Sequence, residues 1–269
     1  MTEVLPRHVL GISGGKDSAA LAIYMKDRVP EMEYFFCDTG HELPETYEYL
    51  VRLEAFLGKP IARLNSERGF DYWLKVYGDY LPSSNMRWCT RQLKLRPMEA
   101  WIGEAPTISY VAIRADEDRE GYVSTKPNIK AVFPFREAGI AKDDVFRMLA
   151  DSGVGIPKYY DWRSRSGCYF CFFQRKAEWV ALKERHPDLY ERAKAFEKPG
   201  PNGEPGYSWV QGEPLTALEQ PERVAEIKEK HARAMDREAK RKKSPRLMDV
   251  FENVLDDEND DQACLICSL

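Results

Sequence analysis

Ser13-Gly14-Gly15-Lys16-Asp17-Ser18 puts two adjacent glycines, two hydroxyls, a cation and a carboxylate into six consecutive positions. A Gly-rich turn that leaves a strand and opens a helix is an anion site, because successive backbone N–H groups and the positive end of the helix dipole meet in one small volume. Gly14 and Gly15 would let the backbone close on phosphates, Ser13 and Ser18 would add hydroxyl donors, and Lys16 would neutralise charge that develops during reaction. Asp17 is the odd member. A lone carboxylate beside a polyanion is unfavourable, so Asp17 is expected either to secure the helix start or to hold Mg²⁺ together with the phosphates. The order of residues is not the G-x-x-x-x-G-K-[ST] of Walker-A loops, which disfavours γ-phosphate transfer. The competing reading, a surface Gly-Gly turn with an incidental Lys and Asp, is weakened by the strand and helix that flank the segment.

The second chemical feature is sulfur. Cys168-Tyr169-Phe170-Cys171 lies in a segment that also carries Arg163, Arg165 and Arg175, Cys89 sits in Arg87-Trp88-Cys89-Thr90-Arg91-Gln92-Leu93-Lys94, and Cys264 with Cys267 forms another C-x-x-C near the carboxyl end. A C-x-x-C alone suits zinc, an iron–sulfur cluster or a dithiol switch. Met1 to Arg7 has no basic start followed by an apolar stretch, and no apolar run approaches the roughly 18 residues of a spanning helix, so a cytoplasmic protein with no membrane partner is expected. In that compartment the six cysteines read as metal or redox groups before disulfides.

These residues need a scaffold. His8 to Ser13 is a short apolar run, after which Ala19, Ala20, Ile23 and Tyr24 recur with helical period. Glu33 to Cys37 reads as a second strand ending at Asp38-Thr39-Gly40. A helix from Pro44 to Leu57 follows, with Tyr47, Leu50, Leu53, Phe56 and Leu57 on one face, and Pro60 to Leu64 is a third strand. Helices are expected over 70–80 and 91–102, strands over Thr107–Ile113 and Lys130–Phe135, then helices over 142–151 and 177–197. The fold class is α/β: a doubly wound, mostly parallel sheet with helices on both faces, like the adenine nucleotide α-hydrolases, plus a helical carboxyl-terminal extension. Three regions follow: a core over 1–197, a Pro/Gly hinge with a basic helical extension over 198–248, and an acidic tail over 249–269.

The balance of 43% hydrophobic and 31% charged residues in 269 is that of an ordinary globular chain, which excludes a wholly disordered or membrane-embedded protein. The net charge of −4 conceals an asymmetry: 249–269 carries seven acids and no base, whereas Lys228 to Arg246 has nine Lys/Arg against three acids. The basic run could meet phosphates or be a solvated helical face.

The segment Ser13–Ser18 resembles the S-G-G-x-D-S signature of the PP-loop ATP pyrophosphatases. Cys37-Asp38-Thr39-Gly40-His41-Glu42-Leu43-Pro44-Glu45-Thr46 and Ala112-Ile113-Arg114-Ala115-Asp116-Glu117 are similar to the loops after the second and fourth strands of the phosphoadenosine-phosphosulfate (PAPS) reductase and DndC-like family, and the likeness spans about residues 7 to 197. It implies an ATP site of Ser13, Gly14, Gly15, Lys16, Asp17 and Ser18. Asp38 or Thr39 would then stand on the ribose or adenine, Arg114 and Arg119 on phosphate charge, and Lys16, Asp17 and Arg114 would be catalytic. In that family a Cys before an R-x-x-K-x-x-P run and a later C-x-x-C hold a 4Fe-4S cluster. Cys89, Arg91, Lys94 and Pro97 match the first part and Cys168 and Cys171 the second. The implied metal ligands are thus Cys89, Cys168 and Cys171, with zinc as the alternative and Cys37 as a conceivable fourth ligand, although a cysteine ending a central strand is more often a buried small hydrophobe.

The likeness is greatest to SspD-type DNA phosphorothioation proteins. It implies ATP and Mg²⁺ as cofactors, adenylation of a nucleic-acid backbone oxygen with DNA favoured, and sulfur from a cysteine desulfurase. A PAPS or adenylyl-sulfate reductase and a tRNA thiolase are the enzyme alternatives, and a zinc-containing nucleic-acid-binding module is the alternative of another class. The tail lacks the Glu-Cys-Gly-Leu-His ending of PAPS reductases, and Trp88 stands before Cys89 where adenylyl-sulfate reductases have paired cysteines, which counts against both reductases.

Overall fold

The computed structural model describes residues 5–118, 124–198 and 206–241. The chain divides into two compact units, one built from residues up to Val76 together with Arg87–Cys168, the other from Tyr77–Met86 and the described residues after Cys168. The first is α/β. Strands β1 (Arg7–Gly11), β2 (Glu33–Asp38), β3 (Ile61–Asn65), β4 (Thr107–Tyr110) and β5 (Ile129–Val132) form one sheet in the order β3-β2-β1-β4-β5. Every pairing is parallel. The order reverses direction between β1 and β4, the place where open α/β sheets form a crevice beyond their carboxyl ends.

Alternation along the strands separates two cores. Leu10, Tyr34, Phe36 and Ile61 face one way, toward helices α1 (Lys16–Met25), α2 (Pro44–Leu57) and α7 (Lys142–Asp151). Val9, Phe35, Cys37 and Leu64 face the other, toward Met98 and Ile102. Helices therefore cover both faces, as the near-continuous apolar strands require. On α1 the run Ala19, Ala20, Leu21, Ala22 is fully buried, and its small side chains let the helix approach the sheet closely. Pro44 opens α2 and left-handed Gly58 closes it. Tyr49, Leu50, Leu53 and Leu57 are its buried face, with Tyr47 and Phe56 only packed against the edge of that core.

Several elements differ from the sequence reading. The helix expected over 70–80 stops at Val76 (α3, Phe70–Val76), because Gly78 and Asp79 both take positive φ. The one expected over 91–102 begins earlier and is broken in type: α4 (Trp88–Thr90) runs through a π-helical turn, Arg91–Leu95, into α5 (Arg96–Ile102). Pro97 has no N–H for the carbonyl four residues back, and the wide turn stands just before it. β4 ends at Tyr110, with Val111, Ala112 and Ile113 buried beyond the ladder. β5 ends at Val132, before Pro134 opens the short helix α6 (Pro134–Glu137).

In the second unit, the helix expected over 177–197 is two, α8 (Lys176–Arg185) and α9 (Pro187–Lys194). His186 takes φ −135° and ψ 66°, outside the helical region that Pro187 disfavours for the residue before it. Phe170, Trp179, Tyr190 and Trp209 are buried here, and Phe170 stacks on Trp209 with ring centroids 5.0 Å apart. Two short helices follow in order, α10 (Leu215–Leu218) and the longer α11 (Pro221–Arg241). Ile227 of α11 is buried, whereas residues 228–237, the described part of the basic run, are all exposed. No helix among the described residues is long and apolar enough to cross a membrane.

Candidate active site

The loop between β1 and α1 is shaped by its own hydroxyls. Ser18 Oγ accepts the N–H of Ser13 at 3.1 Å and donates to the Gly15 carbonyl at 3.2 Å, and Ser13 Oγ lies 3.1 Å from Ser18 Oγ. Gly14 has φ +75°, and a Cβ there would lie 2.5 Å from Cγ2 of Thr46, so conformation and space both require glycine. A Cβ on Gly15 would lie 2.8 Å from Ser166 Oγ. Gly15 is also the N-cap of α1, and it offers no side chain to the first helical amides. Those amides face the switch point of the sheet, which is an anion-binding arrangement.

Two cations meet on one carboxylate beside this loop. Lys16 Nζ lies 3.0 Å from Asp17 Oδ2, and Arg114 Nη1 lies 2.8 Å from Asp17 Oδ1. Arg114, four residues beyond the end of β4, also reaches Asp116 at 2.9 Å, and its N–H donates to Glu117 at 2.9 Å. Burial works against the Arg114 charge, but Asp17 and then Glu117 and Asp116 more than offset this, and the pKa is raised. Arg114 is therefore a permanent cation at the crevice. Asp17 has a cation on each oxygen, so it orients Lys16 and Arg114 and does not stand alone before a polyanion.

The next strand end differs in kind. Asp38 Oδ1 accepts the Gly40 N–H at 2.9 Å and the Tyr47 hydroxyl at 2.7 Å. Thr39 Oγ1 donates to Glu42 Oε1 at 2.9 Å and lies 3.1 Å from Cys168 Sγ, which in turn lies 3.7 Å from Glu42 Oε1. Glu42 is buried, and its Oε2 has no hydrogen-bond partner among the described residues. Burial pushes the Glu42 carboxyl up, against the opposing pull of Lys94, Thr39 and Arg163.

Ser13 to Ser18, Arg114, Asp38 and Thr39 thus all lie at carboxyl ends of strands of one sheet, and Lys16, Asp17 and Arg114 are in contact. Arg119 lies outside the described residues, as do Cys264 and Cys267. Cys168 reaches Thr39, Cys89 is half-buried on α4, and Cys171 is half-buried in the second unit. Among the described residues, no three His, Cys, Asp or Glu side chains are gathered to hold a metal ion. Cys37 is buried in the face opposite α1, its thiol donating to the Lys94 carbonyl at 3.5 Å, and burial pushes its pKa up to about 12. Arg163, one of the three arginines beside the C-x-x-C, is only 2% exposed, and its guanidinium donates to the carbonyls of Gly167 at 3.0 Å and Cys168 at 2.7 Å.

Sequence reasoning gave no role to Glu42, Tyr159, Tyr160 or Ser166. The Tyr159 hydroxyl donates to the Gly14 carbonyl at 2.8 Å, Tyr160 Oη accepts the Lys16 N–H at 3.2 Å, and Ser166 Oγ donates to Ser13 Oγ at 3.3 Å. These contacts join positions 144 to 153 residues apart, and no local spacing signals them.

The fold and this loop define an α/β protein with a candidate anion site at the switch point of a parallel sheet. The phosphoadenosine phosphosulfate reductase domain matches residues 7–173, and the chain belongs to that family, whose members are enzymes acting on nucleotide substrates. It is similar to two uncharacterized proteins of Methanocaldococcus jannaschii, 24% identical over 67% of this chain and 27% over 68%, and it spans only 45% and 40% of their respective lengths. It is also 25% identical to an uncharacterized 37.8 kDa protein of Escherichia phage 186, over 71% of this chain and 74% of that one. Among solved structures, PAPS reductase from Candida auris is similar with a TM-score of 0.48 and 16% identity, covering 61% of this chain and 82% of that one.

Proposed function

We propose that the chain is a PP-loop ATP pyrophosphatase that adenylates a DNA backbone oxygen in preparation for sulfur insertion. The observation that carries this reading is the convergence of Lys16 and Arg114 on Asp17 at the start of α1, whose N-cap glycine brings no side chain to the first amides. A substrate oxygen attacks the α-phosphorus of ATP, the bond to the β-phosphate breaks, and pyrophosphate leaves into the loop. Lys16 and Arg114 meet the charge that grows on it. A sulfur nucleophile then attacks the activated centre and AMP departs with the oxygen. Magnesium would enter with the triphosphate, since both Asp17 oxygens already have cations.

Asp38 and Thr39 are suited to the nucleoside, as hydrogen-bonding groups one strand away from the phosphate loop. A 4Fe-4S cluster on Cys89, Cys168 and Cys171, or zinc in its place, is compatible with the thiol chemistry of these residues. Among the described residues, the side chains do not gather as such a site. A cysteine desulfurase is the proposed sulfur donor. The exposed basic residues of α11 would meet the nucleic-acid backbone.

A second reading, reduction of PAPS or adenylyl sulfate, is consistent with the family match over residues 7–173. The two are separated by the products formed from ATP, Mg²⁺ and DNA. Pyrophosphate, with none when DNA is omitted, is expected, and AMP is expected once a sulfide donor is added. Sulfite from PAPS and a thiol donor, with ATP left intact, would replace the first reading by the second. Iron and zinc analysis of the wild type and of Cys168→Ser tests the metal: equal content in both removes Cys168 as a ligand.

A further inference from the structure

Eleven consecutive residues, 158–168, touch the phosphate loop at Tyr159, Tyr160 and Ser166 and end in a thiol, Cys168. The three hydroxyls of Tyr159, Tyr160 and Ser166 hold Gly14, Lys16 and Ser13, one contact each. The same segment is braced internally, because the buried Arg163 guanidinium donates to the Gly167 and Cys168 carbonyls. Its last residue, Cys168, rests on Thr39 and beside Glu42. What moves Tyr160 therefore acts on the strut that carries Cys168.

Tyr160 stands in a contested position. The Lys16 amide is the first N–H of α1, one of those a phosphate at this helix would take, and Tyr160 Oη accepts it at 3.2 Å. The space over Gly15 is filled by the same group, since a Cβ there would lie 3.2 Å from Tyr160 Oη and 2.8 Å from Ser166 Oγ. Lys16 Nζ lies 5.2 Å from the centre of the Tyr160 ring. One N–H makes one good hydrogen bond, and a phosphate oxygen, being charged, is roughly twice as strong an acceptor as a phenol.

We infer that Tyr160 is a placeholder for phosphate: a nucleotide phosphate displaces its hydroxyl from the Lys16 amide, and the braced segment 158–168 transmits this displacement to Cys168. The inference rests on the phosphate-loop reading and adds to it a coupling between nucleotide occupancy and the thiol. A phosphate ligand and a phosphate competitor at this position have opposite signatures. Removing a ligand weakens binding, whereas removing a competitor strengthens it.

The test is calorimetric titration of the full chain with inorganic pyrophosphate and with Mg·ATP, alongside amide hydrogen exchange of residues 158–168. In the wild type, pyrophosphate is expected to speed exchange in that segment. Tyr160→Phe is expected to bind pyrophosphate about two- to tenfold tighter, the size of one hydrogen bond no longer competing. Its segment should exchange fast with or without ligand. Ser166→Ala, which removes a second hydroxyl of the clasp, should shift both readouts the same way and serves if the first variant misfolds. Unchanged or weaker binding by these variants, or wild-type exchange indifferent to bound pyrophosphate, overturns the placeholder while leaving the phosphate loop standing. A wild type that binds neither pyrophosphate nor Mg·ATP overturns the phosphate loop and the placeholder together.

Discussion

A carboxylate between two cations is found in both units of the described residues, and two of these triads have different consequences. In the α/β unit Asp17 lies between Lys16 and Arg114. In the other unit Glu213 lies between Lys176 at 2.7 Å and Arg223, whose Nε is 2.6 Å away and whose Nη2 is 3.0 Å away. The ionic chemistry is nearly the same. The surroundings are not: Asp17 lies in the first turn of a helix with a glycine N-cap at the switch point of a parallel sheet, whereas Glu213 ties the start of α8 to α11 across the loop that precedes α10. An ion triad becomes a candidate site only where backbone geometry adds a place for a third, external charge.

The largest effect is expected at the first triad. Lys16→Ala or Arg114→Ala should lower the rate of pyrophosphate release by about 10²- to 10³-fold, the usual consequence of removing one group that meets transition-state charge. Thermal stability should change little, because neither residue packs in a core. Arg114→Lys should recover only part of the loss, since an ammonium cannot bridge Asp17 and Asp116 with a planar fork. Steady-state assays at saturating Mg·ATP with parallel melting curves measure both. Full turnover in the Lys16 variant would make the two triads equivalent and end the distinction.

The second triad should answer in the opposite way. Arg223 hydrogen bonds, opposed by burial and aided by Lys176, hold the Glu213 carboxyl down at about 2 from an ordinary 4.5. A depressed carboxylate contributes stability that is fully present above about 4.5 and is lost as pH falls toward 2. Glu213→Gln is therefore expected to lower the melting temperature at pH 7 by about 2–4 °C, for an interaction of about 1 kcal/mol at a partly exposed site. The gap to wild type should close as pH falls through that window, and ATP cleavage should be untouched. Melting curves at a series of pH values follow it, and a gap that widens in acid would contradict the assigned ionisation.

The asymmetry of the two triads also marks what the sequence makes legible. Ser13–Ser18 and the strand period around it are local, and so was the expectation of a sheet with helices on both faces. Cys37, Asp38 and Thr39 were readable as a strand end. Glu213 with Arg223 and Lys176 was not, because partners 10 and 37 residues apart meet only through the packing of α8 and α11. Tyr160 escaped for the same reason, lying 144 residues from the amide it holds. Glu42 was quoted within a motif, yet nothing local announces that a glutamate between His41 and Leu43 is buried. Pro187 and Pro97 were visible, and their effect on helices was underestimated because apolar periodicity on both sides continued through them.

The smallest effect is expected at Cys37, where the division between reactive edge and inert core falls within two residues. Asp38 and Thr39 lie at the carboxyl end of β2 and make contacts with Tyr47, Glu42 and Cys168. Cys37, one position earlier, turns into the core with Phe35 and Leu64, and burial takes its pKa up to about 12. Only the thiolate is nucleophilic or binds metal, and at pH 8 such a thiol is ionised to roughly one part in 10⁴. Alkylation of native protein followed by peptide mass spectrometry should therefore leave Cys37 unmodified while Cys89, Cys168 and Cys171, none of them fully buried, report their own states. Cys37→Ala should cost about 1 kcal/mol of stability, for one sulfur removed from a packed face, and nothing in pyrophosphate release. A Cys37 that is alkylated in the folded chain, or a Cys37→Ala variant that loses bound metal, would move the reactive edge one residue into the strand and make Cys37 a candidate ligand in place of a core residue.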